Sequence, residues 1–117
     1  MDAEEMKRRT NAFAAGIVRL TRTVPKTTES RVIMHQLLRS GTSVGANYRA
    51  ACLARSRADF TSKLGIVIEE ADESHYWMGL MVETGMCRHD AVTSLMREAA
   101  ELTSIFIASV KTARPVK

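Results

Sequence analysis

Sheets, membrane spans and nucleotide loops find little support in this chain of 117 residues. Proline stands only at positions 25 and 115, and β-branched residues never alternate with polar ones over a strand's length, so the chain reads as helix throughout. No apolar run is long enough to cross a bilayer. The N-terminus, Met-Asp-Ala-Glu-Glu-Met-Lys-Arg-Arg, carries acids where a secretory leader carries bases, and no apolar stretch follows, so a cytoplasmic location is expected. Cysteine is confined to Cys52 and Cys87, which have neither CxxC spacing nor ligand pairs nearby. Two reduced, structural thiols are expected rather than a disulfide or a zinc site. Aromatic residues are 5% of the chain, too few for a base-stacking platform, so contact with nucleic acid would have to follow its backbone and tolerate any sequence.

What is present suits one globular domain spanning residues 1–117: hydrophobic residues are 45% and charged residues 26%. Four amphipathic segments follow one another. In the first, Met6, Phe13, Ile17 and Leu20 share a face, most of the basic residues lie opposite, and Pro25 ends the helix. Thr27, Thr28 and Ser30 offer capping oxygens to the second, which runs to about Ala54. Its inner stripe is Ile33, Leu37, Gly41, Val44, Tyr48 and Ala51; its outer stripe is Arg31, His35, Arg39, Thr42, Ala46 and Arg49. The run Ser40–Ala46 between them is a poor helix former, since each glycine costs about 1 kcal/mol against alanine. Close approach by a neighbouring helix would offset that cost. A phosphate-cradling loop is the rival, but no strand precedes the glycines and their spacing fits neither GxGxxG nor GxxxxGK.

Ser56 and Asp59 resemble a capping box that starts the third helix at Arg57 or Ala58, and Gly85 is placed to close it. Within it Phe60, Leu64, Val67, Ala71, Ser74, Met78 and Met81 fall at steps of four and three, one stripe for a core. A second stripe, Ile66, Trp77 and Leu80 with Glu70 and Glu73 interleaved, lies about 100° round the helix. It either broadens the core contact or meets another subunit, with Trp77 as the apolar anchor and the two carboxylates facing a neighbour's arginines. The second reading is preferred. Cys87–Asp90 makes the last turn, and the fourth helix presents Val92, Leu95, Ala99, Leu102, Phe106 and Val110. Helices of about 20 residues, each about 30 Å long, joined by tight turns predict an all-α, antiparallel up-down-up-down four-helix bundle.

Charge is uneven along the chain. Residues 23–57 hold six basic side chains against Glu29, whereas residues 58–84 hold six acids against Lys63. Adjacent helices could simply neutralise one another, or a basic face could await a polyanion. Arg31, Arg39 and Arg49, extended by Lys7, Arg8, Arg9 and the tail residues Lys111, Arg114 and Lys117, are the candidate nucleic-acid contacts. Catalysis finds no footing. Only Asp72-x-x-His75 approaches the Glu-x-x-His spacing of di-iron bundles, His35 lies on another helix's outer stripe, and His89 falls in a turn. No serine, cysteine and histidine are spaced as nucleophile and base, so neither an enzyme nor a metal or other cofactor is expected.

Three runs carry a resemblance: Arg39-Ser40-Gly41-Thr42-Ser43-Val44-Gly45-Ala46-Asn47-Tyr48-Arg49-Ala50-Ala51, then Ser56-Arg57-Ala58-Asp59-Phe60, then Glu69-Glu70-Ala71-Asp72-Glu73-Ser74-His75-Tyr76-Trp77. Together with Val24-Pro25-Lys26 and Gln36-Leu37, they resemble the bacterial four-helix-bundle family known as 23S rRNA intervening-sequence or S23 proteins. The resemblance implies a small bundle that closes into a homopentameric ring. A related branch, the accessory proteins of diversity-generating retroelements, implies RNA or DNA and a reverse transcriptase as partners. The chain departs from the common pattern at Ala50-Ala51 and at His75, where acids are frequent, leaving its surface less acidic. The expected function is a homo-oligomeric scaffold for nucleic acid. An adaptor for another polypeptide is the alternative.

Overall fold

A computed structural model describes residues 2–113. Arg114, Pro115 and Lys117 lie outside the described residues. Four helices account for nearly all of the rest: α1 (Ala3–Thr23), α2 (Thr28–Cys52), α3 (Arg57–Glu83) and α4 (His89–Ala113). No strand occurs among the described residues.

Local chemistry sets each boundary. Asp2 caps α1 by accepting from the Glu4 N–H at 2.9 Å, and Val24 is extended ahead of Pro25, whose ring disfavours a helical residue before it. Thr27 and Ser30 form a reciprocal capping box, with Ser30 N–H donating to Thr27 Oγ1 at 3.1 Å and Thr27 N–H to Ser30 Oγ at 2.7 Å. The box expected at α3 is half made. Ser56 accepts from the Asp59 N–H at 3.0 Å, but the Asp59 carboxylate pairs with Lys63 instead. A glutamate, one methylene longer, is the residue that ordinarily reaches back. Gly85 ends α3 with φ +75°, where Gly85 N–H donates to Val82 O at 3.1 Å and Met86 N–H to Met81 O at 2.8 Å. These are the two bonds of a Schellman motif, and Met86 folds back against the core.

α1 packs on α2 and α4, and α3 packs on the same two helices. The diagonal pairs keep all Cα atoms more than 8 Å apart. The core contains Ile17, Leu37, Tyr48, Leu64, Met78, Leu102 and Phe106, with the Tyr48 and Phe106 rings 5.2 Å apart. Burial, and then the Cys52 thiol beside it, push the Tyr48 hydroxyl well above the usual tyrosine range. Six of the seven residues in the main α3 stripe are buried, and Phe60 is half-buried.

The α1–α2 seam explains the small residues of α2. A Cβ on Gly41 would stand 2.9 Å from both Cγ1 and Cγ2 of Ile17, and one on Gly45 would stand 3.3 Å from Thr10 Oγ1. On the α3 side the buried Ser40 and Ser74 hydroxyls meet at 2.9 Å, and the carbonyls of Leu37 and Glu70 offer them further acceptors.

Some expected positions shift. Met34 takes the core place assigned to Ile33, which is half-buried, because the inward stripe of the first two turns of α2 runs through Ser30, Met34 and Leu37. Leu95 is half-buried as well, covering Gly16. α2 ends at Cys52 rather than Ala54, and α4 begins at His89 instead of after Asp90.

Gly41→Ala should therefore destabilise the protein. Ile17 is enclosed and cannot yield, so an overpacking cost of about 1–3 kcal/mol exceeds the gain in helix propensity of about 1 kcal/mol. At Gly65 no atom lies within 4 Å of the added Cβ, and the same substitution should stabilise by about 0.5–1 kcal/mol. Urea unfolding at one fixed protein concentration compares the two.

Candidate nucleic-acid interface

Apart from the exposed Arg19, packing divides the basic residues of α1 and α2 into two groups. Arg39 belongs to the first. It stands 80° round α2 from Arg31 at 100° per residue, far enough to reach α3. Its Nη1 lies 3.0 Å from Glu70 Oε2, its Nη2 pairs with Glu73, and its Nε donates to Gln36 Oε1 at 3.2 Å. Glu73 also accepts from Trp77 Nε1 at 2.9 Å. The carboxylates expected to face a neighbouring subunit thus meet Arg39 of their own chain. Arg9 is held likewise, with Nε and Nη2 donating to the two Glu98 oxygens at 3.0 and 2.7 Å and Glu101 3.4 Å away. The hydrogen bond to Glu98 holds the Arg9 proton more firmly than usual, against the opposing effect of burial.

The other group lines two grooves between α1 and α2. One, of about 540 Å³ at the corner where the helices join, is walled by Arg22, Lys26, Arg31 and His35 over Val24, Met34 and Leu38. The second, of about 480 Å³ toward the start of α1, collects Lys7, Arg8 and Arg49 with Asn11 and Thr42. Its one acid is Glu4, whose carboxylate is 3.4 Å from Lys7 Nζ. Fourteen residues of helix separate Arg8 from Arg22, about 21 Å along α1. Of the nine basic residues expected at a nucleic-acid surface, Lys7, Arg8, Arg31 and Arg49 line these grooves, Arg9 and Arg39 tie helices together, Lys111 is exposed near the end of α4, and Arg114 and Lys117 fall outside the described residues.

Arg22, Lys26 and His35 were not among the expected contacts. The signal was in the sequence: Lys7, Ala14 and Thr21 recur every seven residues, one face of α1, and Arg22 adjoins the last of them.

The model of the 23S rRNA-intervening sequence proteins matches residues 4–108. The chain belongs to that family. Among solved structures, a protein of unknown function from the S23 ribosomal protein family of Bacteroides thetaiotaomicron is 37% identical, with a TM-score of 0.84. The likeness covers 90% of this chain and 97% of that one. No curated protein matches.

In this family member the second α3 stripe is only partly enclosed. Ile66 is 44% exposed, Leu80 is half-buried, and Trp77 rests half-buried on the core with its ring 5.0 Å from that of Tyr76, edge to face. Tyr76 itself is 58% exposed, an aromatic neighbour outside the stripe expected from the spacing. Among the described residues no three His, Cys, Asp or Glu side chains are grouped to hold a metal ion, and no helix is long and apolar enough to cross a membrane. Burial raises the pKa of the Cys87 thiol, which keeps it protonated and weakly nucleophilic at neutral pH.

Arg39→Ala should lower stability by about 1–2 kcal/mol, because the Glu70 side chain is only 15% exposed and loses its counter-ion. Arg31→Ala, at an exposed groove wall, should change it by less than about 0.5 kcal/mol. Denaturant midpoints of the two variants test the division into tying and groove-lining arginines.

Proposed function

We propose that this protein is a non-catalytic scaffold that binds the phosphate backbone of RNA or DNA along its α1–α2 side. The reading rests chiefly on two basic grooves along the α1–α2 seam whose linings include a single acid, Glu4, in the groove toward the start of α1. Phosphate contacts need cations whose charge is not already satisfied by carboxylates. Here Arg39 and Arg9 are taken up by Glu70, Glu73, Glu98 and Glu101, whereas the six Lys and Arg side chains that line the two grooves share one lining acid, Glu4.

The proposed architecture is one domain of four helices in up-down-up-down order that closes into a homo-oligomeric ring. Five copies follow from family likeness. The exposed Ile66 and Tyr76, beside Trp77 and Leu80, supply an apolar face for the next copy. Symmetry would then repeat both grooves round the ring, so that a few cations per subunit act together on one strand.

Salt-titrated binding to single-stranded RNA and duplex DNA tests the ligand. Three neutralised phosphates per subunit give a loss of about fortyfold for duplex DNA and about twentyfold for single-stranded RNA between about 50 and 200 mM salt. An Arg8/Arg31/Arg49 triple alanine variant should lose at least about tenfold in affinity, and Arg39→Ala less than about twofold. Absence of binding at low salt would overturn the reading and leave an adaptor for another polypeptide. For the assembly, Trp77→Ala should release smaller species in sedimentation while helical content persists. An unchanged oligomer would confine Trp77 to its own chain's core.

A further inference from the structure

The two grooves differ in a way that general attraction to a polyanion does not require. The groove toward the start of α1 includes the acid Glu4, and its apolar residues are Ala14, Gly45 and Ala46, none with a side chain larger than a methyl group. The corner groove has no acid in its lining. Glu29, the nearest acid in sequence, faces away into a separate groove with Thr84, Gly85 and Met86. Three full cations and an imidazole, Arg22, Lys26, Arg31 and His35, instead converge on one volume of about 540 Å³, within the range of small-molecule sites. Beneath them Val24 and Met34 are buried and Leu38 half-buried, an apolar floor beside a cationic wall.

We propose that this corner groove takes a single nucleoside monophosphate unit, with its phosphate among the four nitrogen-bearing side chains and its base on the Val24, Met34 and Leu38 floor. The proposal deepens the backbone-binding reading and rests on it. A phosphodiester within a strand carries one negative charge, whereas a terminal phosphomonoester carries about 1.5 to 2 at pH 7 and presents three acceptor oxygens. Convergence of this many donors on one small volume matches the second. Arginines on opposite sides of the groove, Arg22 from α1 and Arg31 from α2, can each give a phosphate two parallel hydrogen bonds. The floor matches the flat apolar face of a base, which a continuous backbone track does not use. The groove is therefore an end-reading site and its neighbour a passing track. The terminal nucleotide of a strand and a free nucleoside monophosphate share this chemistry.

The experiment compares one short RNA bearing a 5′-monophosphate with the same RNA bearing a 5′-hydroxyl, by fluorescence anisotropy with the full chain. The phosphorylated strand should bind about tenfold more tightly, the effect of one or two added charge-assisted hydrogen bonds. In a Lys26→Ala/Arg31→Ala variant that ratio should fall to about one. Arg49→Ala, in the other groove, should weaken both strands and leave the ratio in place. Equal affinity of the two strands in the unaltered protein would overturn the end-reading site while the backbone reading survives. If neither strand binds, the backbone reading fails, and adenosine monophosphate titrated against NMR signals of the Met34 methyl and the His35 ring tests the groove separately. Shifts that saturate and vanish in the double variant would assign it to free nucleotides, and their absence would remove the proposal altogether.

Discussion

The close approach of α1 to α2 governs the rest of the molecule. Ile17 occupies the space where a Cβ of Gly41 would stand, and Thr10 presses on Gly45 in the same manner. Glycine weakens a helix that stands alone, so this stretch of α2 gains its order from the neighbour that fills the gap. The intimacy has a second effect. With the backbones drawn together, the flanking side chains of both helices line shared grooves, and bases far apart in sequence, such as Arg8 and Arg49 or Arg22 and Arg31, come to one surface.

Electrostatics then separates structure from surface. Glu70, Glu73 and Glu98 could have cancelled the positive charge of the α1–α2 side, but each is engaged at a seam with α3 or α4 by Arg39 or Arg9. Those two arginines join helices, and the cations that line the two α1–α2 grooves face one acid there, Glu4. This is the physical link between a helical core of ordinary composition and the proposed affinity for phosphate. The partly exposed Ile66, Tyr76 and Trp77 lie on α3, a helix whose apolar side chains spread round its girth more evenly than those of α1. That face is a separate surface, the one to which the proposed assembly assigns the next copy.

Much of this was legible beforehand, and the residues show why. Leu64, Val67, Ala71, Ser74, Met78 and Met81 repeat with the period of the helix, and periodic residues must share a side whatever they pack against. Thr27, Ser56 and Gly85 mark helix ends through short-range chemistry that needs no tertiary context. Where reading failed, the competing factor came from outside the segment. Met34 displaced Ile33 at the α2 core position, one residue away, because the rotation of a helix about its own axis is set by what it packs against. Arg9 and Arg39 looked like any other basic residues of their helices until the acids opposite them were known.

By itself, then, the sequence determined four helices, their caps, the buried stripes and the small-residue stretch that invites a close neighbour, since all of these follow from spacing and local backbone chemistry. Only the tertiary structure decided which cations are consumed by partners, which are left to line the grooves, and that the corner groove combines a cationic wall with an apolar floor. Charge pairing depends on distances between helices, and periodicity along one helix carries no information about the helix facing it.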